Sequence, residues 1–102
     1  MIRHCVFVKF KAGVSDADKR GIYQKLDDLR SVIPGIRDAS FGPNVSPEGL
    51  TQGFNDGFVM DFDDVAARDF YLEHPDHREA GSNMVSYVEG GSDGVLVFDI
   101  ET

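Results

Sequence analysis

Four side chains in this 102-residue sequence carry groups suited to general acid–base chemistry: His4, Tyr71, His74 and His77. Histidine is the side chain whose ordinary pKa lies near neutrality, so small changes of environment decide its charge. His74 and His77 flank Pro75 at what reads as a helix entrance. The partial positive charge of a helix N-terminus disfavours imidazolium there. A neutral His77 is then equipped to act as a general base near pH 7. Tyr71 lies just upstream and can donate a hydrogen bond to a carbonyl, stabilising a developing enolate. By strand alternation His4 shares a face with Val6, Val8 and Phe10, and that face is expected to point at the helices and present His4 to orient a ligand. Phe58, Met60, Ile22 and Leu26 would supply an apolar wall for a flat or oily small molecule. The chemistry implied is proton transfer without a cofactor, such as aldol-type cyclisation or isomerisation of a small apolar or aromatic carbonyl compound.

The same residues have structural readings. His74 suits a cap or turn before Pro75. His4 and His77 can satisfy buried polar groups and pin helix to sheet, and Tyr71 can be an amphipathic filler. Residue types alone leave ligand binding, catalysis and packing open. A stress-type structural or interaction module without catalysis is therefore the rival to the small-molecule reading. A metal centre is disfavoured, because His-x-x-His across a proline lacks the one-face geometry of a helical ligand pair. No Gly-rich phosphate loop joins a strand to a helix, and no Ser or Cys sits in a nucleophile elbow, so no cofactor is expected.

The elements that must position these residues follow from periodicity. Ile2 to Lys11 is a β-branched and aromatic run, apolar on both parities, which suits a strand covered on both faces. Ser15 and Asp18 resemble a capping box. Ile22, Leu26, Leu29, Val32 and Ile33 recur at helical spacing until Pro34-Gly35, predicting a helix from about Asp16 to Val32. A strand is expected over Ile36 to Asn44, a loop from Pro43 to Asp56, and a second strand over Gly57 to Phe62 with Phe58, Met60 and Phe62 on one face. Asp63-Asp64 caps a helix that His74-Pro75 interrupts, and helix resumes at Pro75 to about Val88. Gly90 to Gly94 reads as a flexible turn and Val95 to Ile100 as the last strand.

The order is β-α-β-β-α-β, an α+β ferredoxin-like arrangement in a single domain over residues 1–102, with two helical layers' worth of apolar sheet but only one layer of helices. A second copy related by a two-fold axis is the simplest further cover, which predicts a homodimer. Three segments carry a family resemblance: His4-Cys5-Val6-Phe7-Val8-Lys9-Phe10-Lys11, Ile33-Pro34-Gly35-Ile36, and Phe70-Tyr71-Leu72-Glu73-His74-Pro75-Asp76-His77. With Val97-Phe98-Asp99 near the end, the chain resembles the stress-responsive α/β-barrel (Dabb) domain family over nearly its whole length. That resemblance implies a dimeric α+β barrel. Cyclase members of that family close polyketide chains without cofactor, using a Tyr and a His at positions that match Tyr71 and His77.

The formal charge of −8, from 18 acidic against 10 basic side chains, disfavours nucleic acid and anionic membranes as partners. No apolar run approaches the ~20 residues that span a bilayer, and a cytoplasmic location is expected. The single Cys5 sits in an apolar strand and reads as a small buried hydrophobe.

Overall fold

The computed structural model describes residues 1–102. Four strands, β1 (Ile2–Val8), β2 (Ile36–Pro43), β3 (Asp56–Phe62) and β4 (Val95–Glu101), form one antiparallel sheet in the order β2-β3-β1-β4. Three helices, α1 (Asp16–Asp27), α2 (Val65–Glu73) and α3 (Pro75–Val85), complete a ferredoxin-like α+β domain.

Alternation along the strands sorts the side chains. Ile2, His4, Val6 and Val8 of β1 and Phe58, Met60 and Phe62 of β3 are buried against the helices, as expected from the sequence. They meet Ile22, Leu26, Leu29 and Ile33 from the first helical segment, Tyr71 from α2, and Ala80, Met84 and Val88 from α3 and its exit. Cross-strand register aligns His4 with Met60 on one side and with Asp99 on the other. The opposite sheet face carries Cys5, Phe7, Val59, Leu96, Phe98 and Ile100, and Leu96, Phe98 and Ile100 are exposed. Cys5 is therefore half-buried on the helix-free face rather than enclosed in the core.

Local signals mark the element boundaries. Ser15 and Asp18 form the expected capping box, with Ser15 Oγ accepting from the Asp18 N–H at 3.0 Å and Asp18 accepting from the Ser15 N–H at 3.2 Å. The first helix is shorter than its apolar period suggests: after Asp27 the chain tightens into one 3-10 turn, Asp28–Ser31. The tighter turn keeps both Leu29 and Ile33 buried before Pro34. Helix α3 likewise ends at Val85 rather than Val88, because Tyr87 and Val88 are drawn to the continuation of β1, with Lys11 N donating to Tyr87 O at 2.9 Å and Phe10 bridging Val88. The glycine-rich stretch expected as a flexible turn is a 3-10 turn, Gly91–Gly94, with Gly94 buried against Val88 and Glu89.

Gly35 fixes the entry to β2. Its φ is +90°, and a Cβ there would lie 2.6 Å from Ala67 Cβ on α2, while its carbonyl accepts from Asp63 N at 2.9 Å. Gly13 has the same φ of +90° with open space around it. Gly13→Ala should therefore cost about 1 kcal/mol from backbone strain alone. Gly35→Ala should cost about 2–3 kcal/mol, since the clash with α2 adds to the strain. Urea denaturation checks this; equal costs at the two positions would remove the α2 contact from the account.

Candidate functional site

The site begins with a backbone constraint. A proline disfavours helical geometry in the residue before it. His74 accordingly has φ −67° and ψ 133°, ending α2 and capping α3 at once. Its N–H donates to Tyr71 O at 3.1 Å, and its Nδ1 accepts from Asp76 N at 3.1 Å. His74 is thus the cap residue its position before Pro75 suggested. The break folds the start of α3 back over the end of α2, bringing the Tyr71 and His77 rings to 4.1 Å between centroids.

Tyr71 is fully buried, packed on Phe62 at 4.9 Å and edge-on to His4 at 6.1 Å. Its hydroxyl is buried with no hydrogen-bond partner. Burial pushes the phenol pKa well above its ordinary value, so the group stays protonated and can serve only as a neutral donor or acceptor.

His77 is partly exposed, and its pKa is lowered. Burial is the main cause; the Leu72 carbonyl opposes it, and His4, Arg78 and His74 add to it. The sequence pointed to the helix N-terminus as the cause, so the direction holds but burial carries it. His77 Nδ1 lies 3.3 Å from Leu72 O. A carbonyl oxygen only accepts, so Nδ1 carries the proton and the neutral ring keeps a free lone pair on Nε2. That is the protonation state of a general base.

His4 is buried at 4% exposure and pairs Nδ1 with Asp99 Oδ1 at 2.6 Å. Asp99 Oδ2 in turn accepts from Arg68 Nη1 at 2.6 Å. Burial alone would raise the Asp99 carboxyl pKa, but the hydrogen bonds from Arg68 and His4 outweigh it and hold the carboxylate below its usual range. The ionised Asp99 accepts a hydrogen bond from the Nδ1–H of His4, which leaves Nε2 as the nitrogen not held by the carboxylate. Neither Asp99 nor Arg68 stood out in the sequence as a site residue. Strand alternation gives the face of Asp99 only once β4 is in register with β1, and Arg68 looks like any solvated helix charge.

The structure thus brings together His4, Tyr71 and His77. Val6, Val8, Ile22, Leu26, Phe58 and Met60 are members of the same hydrophobic core as Tyr71. Of these residues only Phe58 borders the cavity of about 640 Å³ that lies elsewhere, on the helix-free face. No group of three or more His, Cys, Asp or Glu side chains is placed to hold a metal ion. No helix is long and apolar enough to cross a membrane.

The family model for the stress responsive A/B barrel domain (Dabb) matches residues 2–102. The chain belongs to this family. Olivetolic acid cyclase of Cannabis sativa is 26% identical over 98 residues, covering 96% of this chain and 93% of that protein. A stress-response A/B barrel domain-containing protein of Arabidopsis thaliana is 30% identical, covering 96% of this chain and 86% of the relative. Among solved structures, a dimeric ferredoxin-like protein of unknown function from Jannaschia sp. CCS1 superposes with a TM-score of 0.90 at 32% identity, over 99% of this chain and 98% of that one. A hydroxynitrile lyase from Passiflora edulis shares the fold with a TM-score of 0.83 at 21% identity, over 97% and 90% of the two chains. The Dabb fold read from the sequence is therefore the fold observed.

The lowered pKa of His77 has a consequence for stability. Between its folded value and the ordinary 6.5, the unfolded chain binds a proton that the folded chain refuses. The contribution is complete above 6.5 and is lost as pH falls from there through the folded value. Asp99 acts in a separate window, its contribution disappearing as pH falls from the ordinary 3.8 through its lowered value. Thermal unfolding from pH 7 to 5 should show a falling Tm that is flattened in His77→Gln. Parallel curves for the two proteins would show that His77 titrates normally in the fold.

Proposed function

We propose that this Dabb domain is a cytoplasmic homodimer that binds a small apolar or aromatic carbonyl compound at Tyr71, His77 and His4 and catalyses cofactor-independent proton transfer on it. The observation that carries this reading is the Tyr71 hydroxyl, buried without a partner beside a neutral imidazole. Leaving such a group unpaired costs about 1–3 kcal/mol. A substrate carbonyl is the partner that would remove it.

In the reaction, the substrate carbonyl oxygen accepts from Tyr71 Oη–H. His77 Nε2 takes the proton from the carbon next to the carbonyl, and the electron pair moves into the enolate that Tyr71 stabilises. In an aldol-type closure the enolate carbon attacks a second carbonyl of the same molecule, and the resulting alkoxide takes back the proton held on His77. His4, held by Asp99 and Arg68, orients the ligand. Val6, Val8, Ile22, Leu26, Phe58 and Met60, all core residues, would supply the apolar surroundings, and the partly exposed His77 is the side from which a ligand would enter. Similarity to a cyclase at 26% identity supports the reaction class.

The dimer rests on the apolar helix-free face, with Leu96, Phe98 and Ile100 exposed, and on the dimeric description of the Jannaschia relative. A single unpaired cysteine suits a reducing compartment. The close packing of the core favours a second reading, a non-catalytic module in which the same residues only stabilise the fold.

Tyr71→Phe separates the two readings. Removing an unpaired hydroxyl should leave stability unchanged or raise it by about 1 kcal/mol, while ligand affinity or turnover falls at least tenfold. His77→Ala should abolish turnover with the fold intact, measured by enolisation of aromatic ketones followed as deuterium exchange. Loss of stability in Tyr71→Phe with no change in binding would favour the structural module.

A further inference from the structure

The helix-free face of the sheet is uneven, and the strand register shows how. Cross-strand partners form rows on it. The first row runs Gly42, Gly57, Phe7, Leu96 from β2 to β4, and the second runs Ser40, Val59, Cys5, Phe98. The third includes Asp61, Arg3 and Ile100, with Arg3 Nε donating to Asp61 Oδ1 at 3.0 Å. In the first two rows the β2 residue is small and the β4 residue large. The β2 side is accordingly a recess, the space of about 640 Å³ bordered by the β2–β3 loop. The β4 side is a ridge on which Leu96, Phe98 and Ile100 stand exposed.

Nothing within one chain accounts for the absence of a side chain at position 42. The φ of Gly42 is not positive, and a Cβ there would meet nothing within 4 Å. A strand glycine weakens its strand by roughly 0.5–1 kcal/mol and often marks a place where another group approaches the backbone closely. An apolar ridge on an edge strand likewise calls for a cover.

Two copies with their sheets face to face and strands nearly aligned are related by a two-fold axis between the sheets, running either along the strands or across them. The sheet order β2-β3-β1-β4 makes the two cases different. An axis along the strands lays β4 on the partner's β2 and β1 on its β3, with each row on its own row. Leu96 and Phe98 then fill the spaces over the partner's Gly42 and the partner's Ser40, and Arg3 meets the partner's Asp61. An axis across the strands lays β4 on β4 and reverses the rows. Recess then faces recess, Phe98 meets the partner's Phe98, and the Arg3–Asp61 pair loses its hydration against apolar surface with no new partner.

We propose that the two-fold axis of the homodimer runs along the strands, so that the Leu96–Phe98 ridge of each copy fills the Gly42–Ser40 recess of the other. The inference rests on the dimer of the preceding subsection and adds its orientation and its contacts. The surface is self-complementary in shape and in charge, and the partner copy is what position 42 makes room for.

Ser40→Phe fills the recess and Phe98→Ala removes the ridge, so each alone should weaken the dimer at least tenfold in sedimentation velocity, with circular dichroism reporting the fold. Mixed in equal amounts, the two variants should form the heterodimer in preference to either homodimer, read by native mass spectrometry. Only the heterodimer has one native contact and one in which the introduced ring occupies the space that Phe98 left. Isotope-filtered NMR on the wild type, with one copy labelled, needs no variant to fold and should show the Phe98 ring against the partner's Ser40. A dimeric wild type with Phe98 against the partner's Phe98, or with variants that do not recover on mixing, would overturn the orientation and leave the homodimer standing. A monomeric wild type would overturn both.

Discussion

The site depends on the crowding between the Pro75 ring and the backbone of the residue before it. That crowding makes His74 extended, and an extended residue between two helices turns the chain sharply. Without the turn, Tyr71 and His77 would lie six residues apart along one helix, more than a turn and a half. With it, the end of one helix and the start of the next present their rings to each other at 4.1 Å. The proline also sits at the first helical position, where its missing N–H removes no helical hydrogen bond. One residue thus ends a helix, starts another and forms the pair.

Two polar arrangements, one part-buried and one buried, lie near this turn and are built on opposite principles. The His4–Asp99–Arg68 chain is closed: each group has a charged or ring-nitrogen partner at 2.6 Å, and it spans β1, β4 and α2. The Tyr71 hydroxyl is open, protonated and unpaired. A low local dielectric strengthens the first and penalises the second. Tyr23 on α1 is an intermediate case: its buried hydroxyl makes no hydrogen bond of good geometry, and burial and Asp56 raise its phenol pKa against a weak backbone interaction at Gly57. Satisfied groups rigidify the frame; unsatisfied ones mark where it has polar capacity left over.

Much of this was legible in the residues. The alternation of Phe58, Met60 and Phe62 and the heptad-like spacing of Ile22, Leu26 and Leu29 placed the core, because burial on one face leaves a direct periodic trace. Ser15, Asp64 and Pro75 marked helix starts by local chemistry, which sequence displays plainly. The errors lie where distant pairing decides. Tyr87 and Val88 left α3 to meet Phe10 and Lys11, and Cys5 proved half-buried because its face has no helix over it. Asp99 and Arg68 were missed for the same reason. The cavity beneath the β2–β3 loop was also out of reach, since the fold of a loop rich in Gly, Asn and Ser is set by hydrogen bonds with no periodicity to read.

The bond between His4 and Asp99 joins residues 95 positions apart. β4 lies at the edge of the sheet next to β1, so the carboxylate that orients His4 reaches it only through the pairing of these two strands. Contacts of such separation carry the largest loop-closure entropy and form against the slope of fast local folding. The aligned imidazole thus exists only where β1 and β4 have paired, and it reports on the most non-local pairing of the sheet.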